Sequence, residues 1–233
     1  LHLMRTGAAA ALNILLKTVL NPGDEVLTFA PYFSEYKNYV QNYGGVLRLV
    51  ATDPETFLPD LDALRASIGE KTRALILNTP NNPSGVVYSE EVLRGIQAVL
   101  AEKEREFGSC ILVISDEPYR ELVYDGAMVP WIPALMPHAA VVYSYSKTLS
   151  LPGERIGWLL LPDSIPEARE LYAAAVIANR ISGFVNAPSM IQRVLKRTLG
   201  CRADFSVYEH NRALLLRELP EMGYRLVKPE GAF

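Results

Sequence analysis

The 233 residues are 49% hydrophobic and 21% charged, an ordinary globular composition with enough chain for one large domain or one and a half. A formal net charge of −3 excludes the basic footprint of a nucleic-acid binder. No run approaches the roughly 18 apolar residues of a membrane span, and the apolar stretch over 8–20 carries Asn13 and Lys17 and lacks the pattern of a secretory leader.

In chain order, helical patterns lie over 8–20, 32–43, 61–67 and 89–107. Between them, short Val/Ile/Leu-rich runs over 25–29, 46–50, 73–77, 111–115, 141–144 and 156–161 read as strands. Continuous apolar runs of this length suit parallel strands covered on both faces. Ser89 followed by Glu90 and Glu91 reads as an N-cap with an acidic first turn. Turns fall at 21–24 and 53–55. The last third is mostly helical, over 165–179, 187–199 and 202–219, and 224–227 reads as a strand. This alternation predicts an α/β protein, a three-layer α/β/α arrangement around a mainly parallel sheet, with the start of a small α+β domain. The expected division is a large domain over 1–204 and the beginning of a second over 205–233. Cys110 and Cys201 are too few and too far apart for a disulfide framework or zinc site; they read as reduced core thiols of a cytoplasmic protein. The chain starts without Met and stops in a turn entering a strand, so a piece of a longer protein is expected.

Four segments can carry chemistry. Small residues at Gly7, Ala8 and Ala9 open a helix whose first N–H groups either face an anion or simply pack closely. Asn78-Thr79-Pro80-Asn81-Asn82-Pro83-Ser84-Gly85 follows a buried strand and is either a polar turn or a ligand loop at the carboxyl edge of a parallel sheet. Asp116 ends a strongly apolar strand and needs a partner; it either caps the next helix or meets a protonated ligand nitrogen, with Tyr119 nearby. Lys147 leaves a buried strand among Ser144, Ser146 and Arg155. A desolvated lysine amine can form a Schiff base, and an arginine fork suits phosphate. His2, His138 and His210 show no catalytic spacing and no metal site is expected. Tyr36, Asn38, Tyr39 and Arg180 are candidates for a place near the pocket, with surface or core roles the favoured reading of each, and Glu117 reads as a structural neighbour of Asp116.

These segments, with Pro22-Gly23-Asp24-Glu25-Val26 and Pro31-Tyr32-Phe33, occur in an order that resembles the class I/II aminotransferases among the fold-type I pyridoxal 5'-phosphate (PLP) enzymes. The resemblance covers nearly the whole chain. It implies that Lys147 binds PLP as a Schiff base and then moves the substrate proton. Asp116 would pair with the pyridinium nitrogen, and Asn82 and Tyr119 would bond the ring's O3' oxygen. Phe33 would stack on the ring, while Gly7, Ala8, Ala9, Ser144, Ser146 and Arg155 would hold the phosphate. The implied activity is transfer of an amino group from an amino acid to a 2-oxo acid, in a homodimer. Alternatives on the same platform are a C–S lyase (β-eliminase) and the sensor domain of a transcription regulator. Family members carry further residues before and after a segment of this kind, including an arginine for the substrate α-carboxylate that nothing in 1–233 matches. Weak or absent transamination is therefore expected of the 233 residues alone.

Overall fold

The computed structural model describes residues 1–232. The strands are β1 (His2–Arg5), β2 (Glu25–Phe29), β3 (Val46–Val50), β4 (Thr72–Asn78), β5 (Leu112–Asp116), β6 (Ala139–Ser144) and β7 (Gly157–Leu160). Among the described residues they form one seven-stranded sheet in the order β1-β7-β6-β5-β4-β2-β3. Strands β2 to β6 run parallel, and β7 is antiparallel to both β6 and β1. The helices are α1 (Ala8–Val19), α2 (Glu35–Gln41), α3 (Leu61–Ser67), α4 (Glu90–Phe107), α5 (Ile132–Leu135), α6 (Tyr145–Thr148), α7 (Ala168–Ile181), α8 (Ser189–Thr198) and α9 (Ser206–Glu221).

Period-two alternation along the strands builds two cores. Val26, Ala74, Ile76, Ile114 and Val142 pack on one side with α1, α2 and α7. Leu27, Leu75, Leu77 and Val113 pack on the other with α3 and α4 through Leu64, Leu93, Ile96 and Leu100. Three layers result, as the sequence predicts. Each fully buried Leu or Ile contributes roughly 1.5–3 kcal/mol of transfer free energy. Helix α4 ends as its sequence indicates: Ser89 Oγ accepts from Val92 N–H at 3.3 Å, and Gly108 closes the helix at φ 62°.

Some elements differ from the reading. β1 was not expected, because four residues ending in Arg5 carry no periodic signal; pairing with β7 creates it. The single turn α6 is likewise too short for periodicity. Helix α2 starts at Glu35, after Pro31-Tyr32-Phe33 has passed in non-helical conformation. Residues 224–227 are not a strand, since they have no ladder partner among the described residues and Tyr224 and Leu226 are exposed. Cys110 and Cys201 are free thiols but exposed, not in the core. Among the described residues no helix is long and apolar enough to cross a membrane.

Gly157 opens β7 where a side chain has no room. A Cβ there would collide with the Tyr143 carbonyl oxygen and come within 2.9 Å of Gly7 Cα. Both obstacles are backbone, so the expected result of Gly157→Ala is a loss of about 1–3 kcal/mol or more in chemical denaturation. An unchanged midpoint would show that the β6–β7 pair relaxes freely.

Candidate functional site

Strands β4, β5 and β6 end on Asn78, Asp116 and Ser144, so three neighbouring parallel strands deliver polar side chains to one edge of the sheet. Asn78 ties this edge together. Its amide donates to the Asp116 carbonyl at 2.9 Å, and its Oδ1 accepts from Asn82 N–H at 2.7 Å. Asn82 Nδ2 in turn donates to the Tyr119 hydroxyl at 3.1 Å.

Above the edge lies a cavity of about 200 Å³. Ala8, Ala9, Phe33, Asn82, Asp116, Tyr119, Ser144, Ser146, Lys147 and Arg155 all line it. Gly7 stands just behind, at φ 90°, where a Cβ would come within 3.1 Å of Arg155 Nη2 and 3.6 Å of Ser144 Oγ. Helix α1 has no side-chain cap, so its first N–H groups stay available beside the Arg155 guanidinium. Ser144 and Ser146 hydroxyls are 2.7 Å apart at the same corner. Together these groups could hold a dianion.

Lys147 sits on α6 immediately after β6, with Nζ 5.9 Å from the centroid of the Tyr119 ring. Burial lowers its pKa below the usual lysine value. The turn that carries it is anchored from behind, where Tyr143 OH and Thr148 Oγ1 both donate to Glu121 Oε2 at 2.8 Å.

Asp116 is 5% exposed. Burial pushes its carboxyl up to about 7, opposed by a hydrogen bond from Tyr36 and reinforced by the neighbouring Glu117 charge. The Tyr36 hydroxyl donates to Asp116 Oδ2 at 2.5 Å. Oδ1 is buried and has no hydrogen-bond partner among the described residues. A buried carboxylate left half-satisfied is costly unless a ligand supplies the missing donor. Tyr119 is pushed up to about 12 by burial and by Asp116, against the bond from Asn82.

Tyr36 lines the cavity, although a surface or core role was the reading that the sequence favoured. It is 1% exposed and packs edge-on against Phe33, at 5.6 Å between ring centroids. The available signal was the spacing Tyr36–Val40 on the buried face of α2: a tyrosine on such a face needs a partner for its hydroxyl. Tyr39 and Glu35 also line the cavity and are hydrogen-bonded to each other. Asn38 and Arg180 are exposed and do not line it. Because the Tyr36 bond lowers the Asp116 pKa, Tyr36→Phe is expected to move that carboxyl further up, read by carbon NMR titration of the ligand-free chain. An unmoved titration would remove Tyr36 from the site.

An anion cradle, an amine of lowered pKa and a buried carboxyl short of one donor suit a phosphorylated aldehyde with a protonatable ring nitrogen. Comparison with known proteins points the same way. The sequence matches the family described as aminotransferase class I and II over residues 3–233. It is 32% identical to a probable aspartate/prephenate aminotransferase of Thermus aquaticus over 99% of this chain and 59% of that protein. It is 30% identical to an aspartate aminotransferase of Thermotoga maritima over 97% of this chain and 58% of the relative. A crystal structure of an amino transferase from Eubacterium rectale superposes with a TM-score of 0.97 at 46% identity, over 100% of this chain and 58% of the other. The chain thus spans a little under three-fifths of the length of these relatives. With a mainly parallel sheet, strand-end polar loops in the expected order and a family match across almost every residue, the chain belongs to the class I and II aminotransferases.

Proposed function

We propose that this chain carries the cofactor platform of a PLP-dependent amino-acid aminotransferase, which moves an amino group from an amino acid to a 2-oxo acid. The observation that carries the reading is Asp116: one carboxylate oxygen is held by Tyr36, the other is buried without a donor among the described residues, and Lys147 lines the same cavity. When bound, PLP supplies an electron sink for the carbanion formed at the substrate Cα. The residues present fit it. Asp116 keeps a proton on the ring nitrogen. Asn82 and Tyr119, already bonded to each other, set the charge of the ring oxygen. Gly7, Ala8 and Ala9, with Ser144, Ser146 and Arg155, hold the phosphate, and Phe33 covers a ring face. Lys147 Nζ would hold the cofactor aldehyde and would accept the proton from substrate Cα; its lowered pKa increases the neutral fraction that can do so.

Residues 1–204 form the large domain in this reading, and 205–232 begin the second. The exposed Ile177, Ile181 and Met190 on α7 and α8 support a homodimer. Two free thiols support a reducing compartment, the cytoplasm. The test of the platform is direct. The 233-residue chain mixed with PLP should develop a visible absorbance that borohydride abolishes, leaving a covalent adduct on Lys147 by peptide mass analysis. An adduct on another lysine would overturn the assignment. Product analysis with glutamate and with cystathionine, on a polypeptide that turns over, separates transamination from elimination.

A further inference from the structure

A second cluster lies at the opposite end of the sheet. Glu104 is on the last turn of α4, Cys110 follows the left-handed turn at Gly108, and His138 leads into β6. β5 runs from this corner to Asp116, roughly 17 Å away for a five-residue strand. His138 Nδ1 is 2.9 Å from Glu104 Oε1 and 3.4 Å from Cys110 Sγ. One ligand atom from each residue lies within 4.8 Å of the others.

Both contacts fall on the same ring nitrogen. A Cys–His–Glu proton relay needs the imidazole between its partners, one on each nitrogen, so the cluster is not a relay. When Nδ1 donates to the carboxylate, it has no lone pair left for the S–H. What the three side chains share is one small volume, with a sulfur, a nitrogen and an oxygen atom within 4.8 Å of one another. Zinc bonds of about 2.3 Å to sulfur and 2.0–2.1 Å to nitrogen or oxygen place tetrahedral ligands roughly 3.3–3.6 Å apart. The 3.4 Å separation already fits, and the 2.9 Å one needs to open by a few tenths of an ångström.

The frame around the cluster is fixed. Ile111 N–H donates to Glu104 Oε1 at 2.7 Å, and such outer bonds orient a ligating carboxylate. The His138 carbonyl accepts from Val113 N–H at 2.9 Å, and the Glu104 carbonyl from Ser109 N–H at 3.2 Å. Cys110 is exposed and the other two are half-buried, which leaves an entry path and a place for water. A thiolate, an imidazole and a carboxylate match zinc and exclude the hard cations magnesium and calcium.

We propose that Glu104, Cys110 and His138 form a zinc site with three protein ligands and a fourth position open to water. Binding forms a Zn–S bond and releases the thiol proton; desolvation and Glu104 raise that thiol to about 11, so it is protonated in the metal-free site. The thiolate and carboxylate neutralise the ion. The metal links the end of α4 to the segments entering β5 and β6, and the proposal does not depend on the activity at the other edge of the sheet.

The chain has two cysteines, so an untagged Cys201→Ser protein keeps Cys110 as its only thiol. Titrated with Co²⁺, it should show a sulfur-to-cobalt charge-transfer band that saturates at one equivalent and is displaced by Zn²⁺. Further replacement by Cys110→Ser should abolish the band, and His138→Asn or Glu104→Gln should weaken Co²⁺ binding about tenfold or more. Circular dichroism checks that each variant is folded, and either of the last two suffices if the other is not. No band at one equivalent, or a band whose affinity is unchanged in a folded His138→Asn or Glu104→Gln protein, overturns the site.

Discussion

Lys147→Ala should abolish the borohydride-reducible absorbance of the chain with PLP. In an active enzyme containing this chain it should slow the amino-donor half-reaction by about 10⁴-fold. The size follows from losing two functions at once. The side chain is the nucleophile that binds the aldehyde, and a positioned base alone contributes about 10²–10⁴-fold. The geometry singles out this lysine: it follows a fully buried strand, lines the cavity and has a pKa lowered by burial. Exposed Lys71, at the amino-terminal end of β4, serves as control, and Lys71→Ala should leave both readouts intact. Single-turnover spectroscopy measures the rate. A reducible band that survives Lys147→Ala would end the platform reading.

Asp116→Asn should act in opposite directions on stability and on catalysis. In the ligand-free chain the Asp116 pKa is raised from 3.8 to about 7, chiefly by burial. A raised folded-state pKa means that the folded protein holds the proton more tightly than the unfolded chain. The associated stability is present below pH 3.8 and is lost as pH rises through about 7. At pH 8 the buried carboxylate therefore costs on the order of 4 kcal/mol, by the scale of about 1.4 kcal/mol per pKa unit. An asparagine carries no such penalty. Ligand-free Asp116→Asn should unfold at higher denaturant than the parent at pH 8, with the advantage shrinking towards pH 4. The same substitution removes the charge that keeps a proton on the ring nitrogen, and the half-reaction should fall about 10³-fold, the scale of losing one preorganised electrostatic partner. Equal stability of the two proteins at pH 8 would show that Asp116 is not strained. Full activity of the variant would show that it does not face the cofactor.

Much of this site was legible in the residue order because strand ends are legible. The run 111–115 is buried on both faces, so its boundary placed Asp116 at a sheet edge before any contact was known. Asn82 and Tyr119 were placed by the loops that follow β4 and β5, and Lys147 by the exit from β6. The role of Tyr36 was not legible, because its partner lies 80 residues away and the bond exists only once α2, packed against β3 and α1, brings the hydroxyl to the end of β5. The Cys110 reading failed for another reason: it rested on the number and spacing of the cysteines, which do not record exposure, and the thiol is exposed in the segment before β5.

The sequence by itself determined the alternation of helix and strand, the parallel sheet and the polar side chains at its carboxyl edge. Hydrophobic periodicity and capping are local and survive in one dimension. Only the tertiary structure decided that Tyr36 satisfies half of Asp116, that β1 joins the sheet edge beside β7, and that Glu104, Cys110 and His138 meet. Each depends on groups far apart in the chain, brought together by packing helices on a twisted sheet, and no local pattern records that.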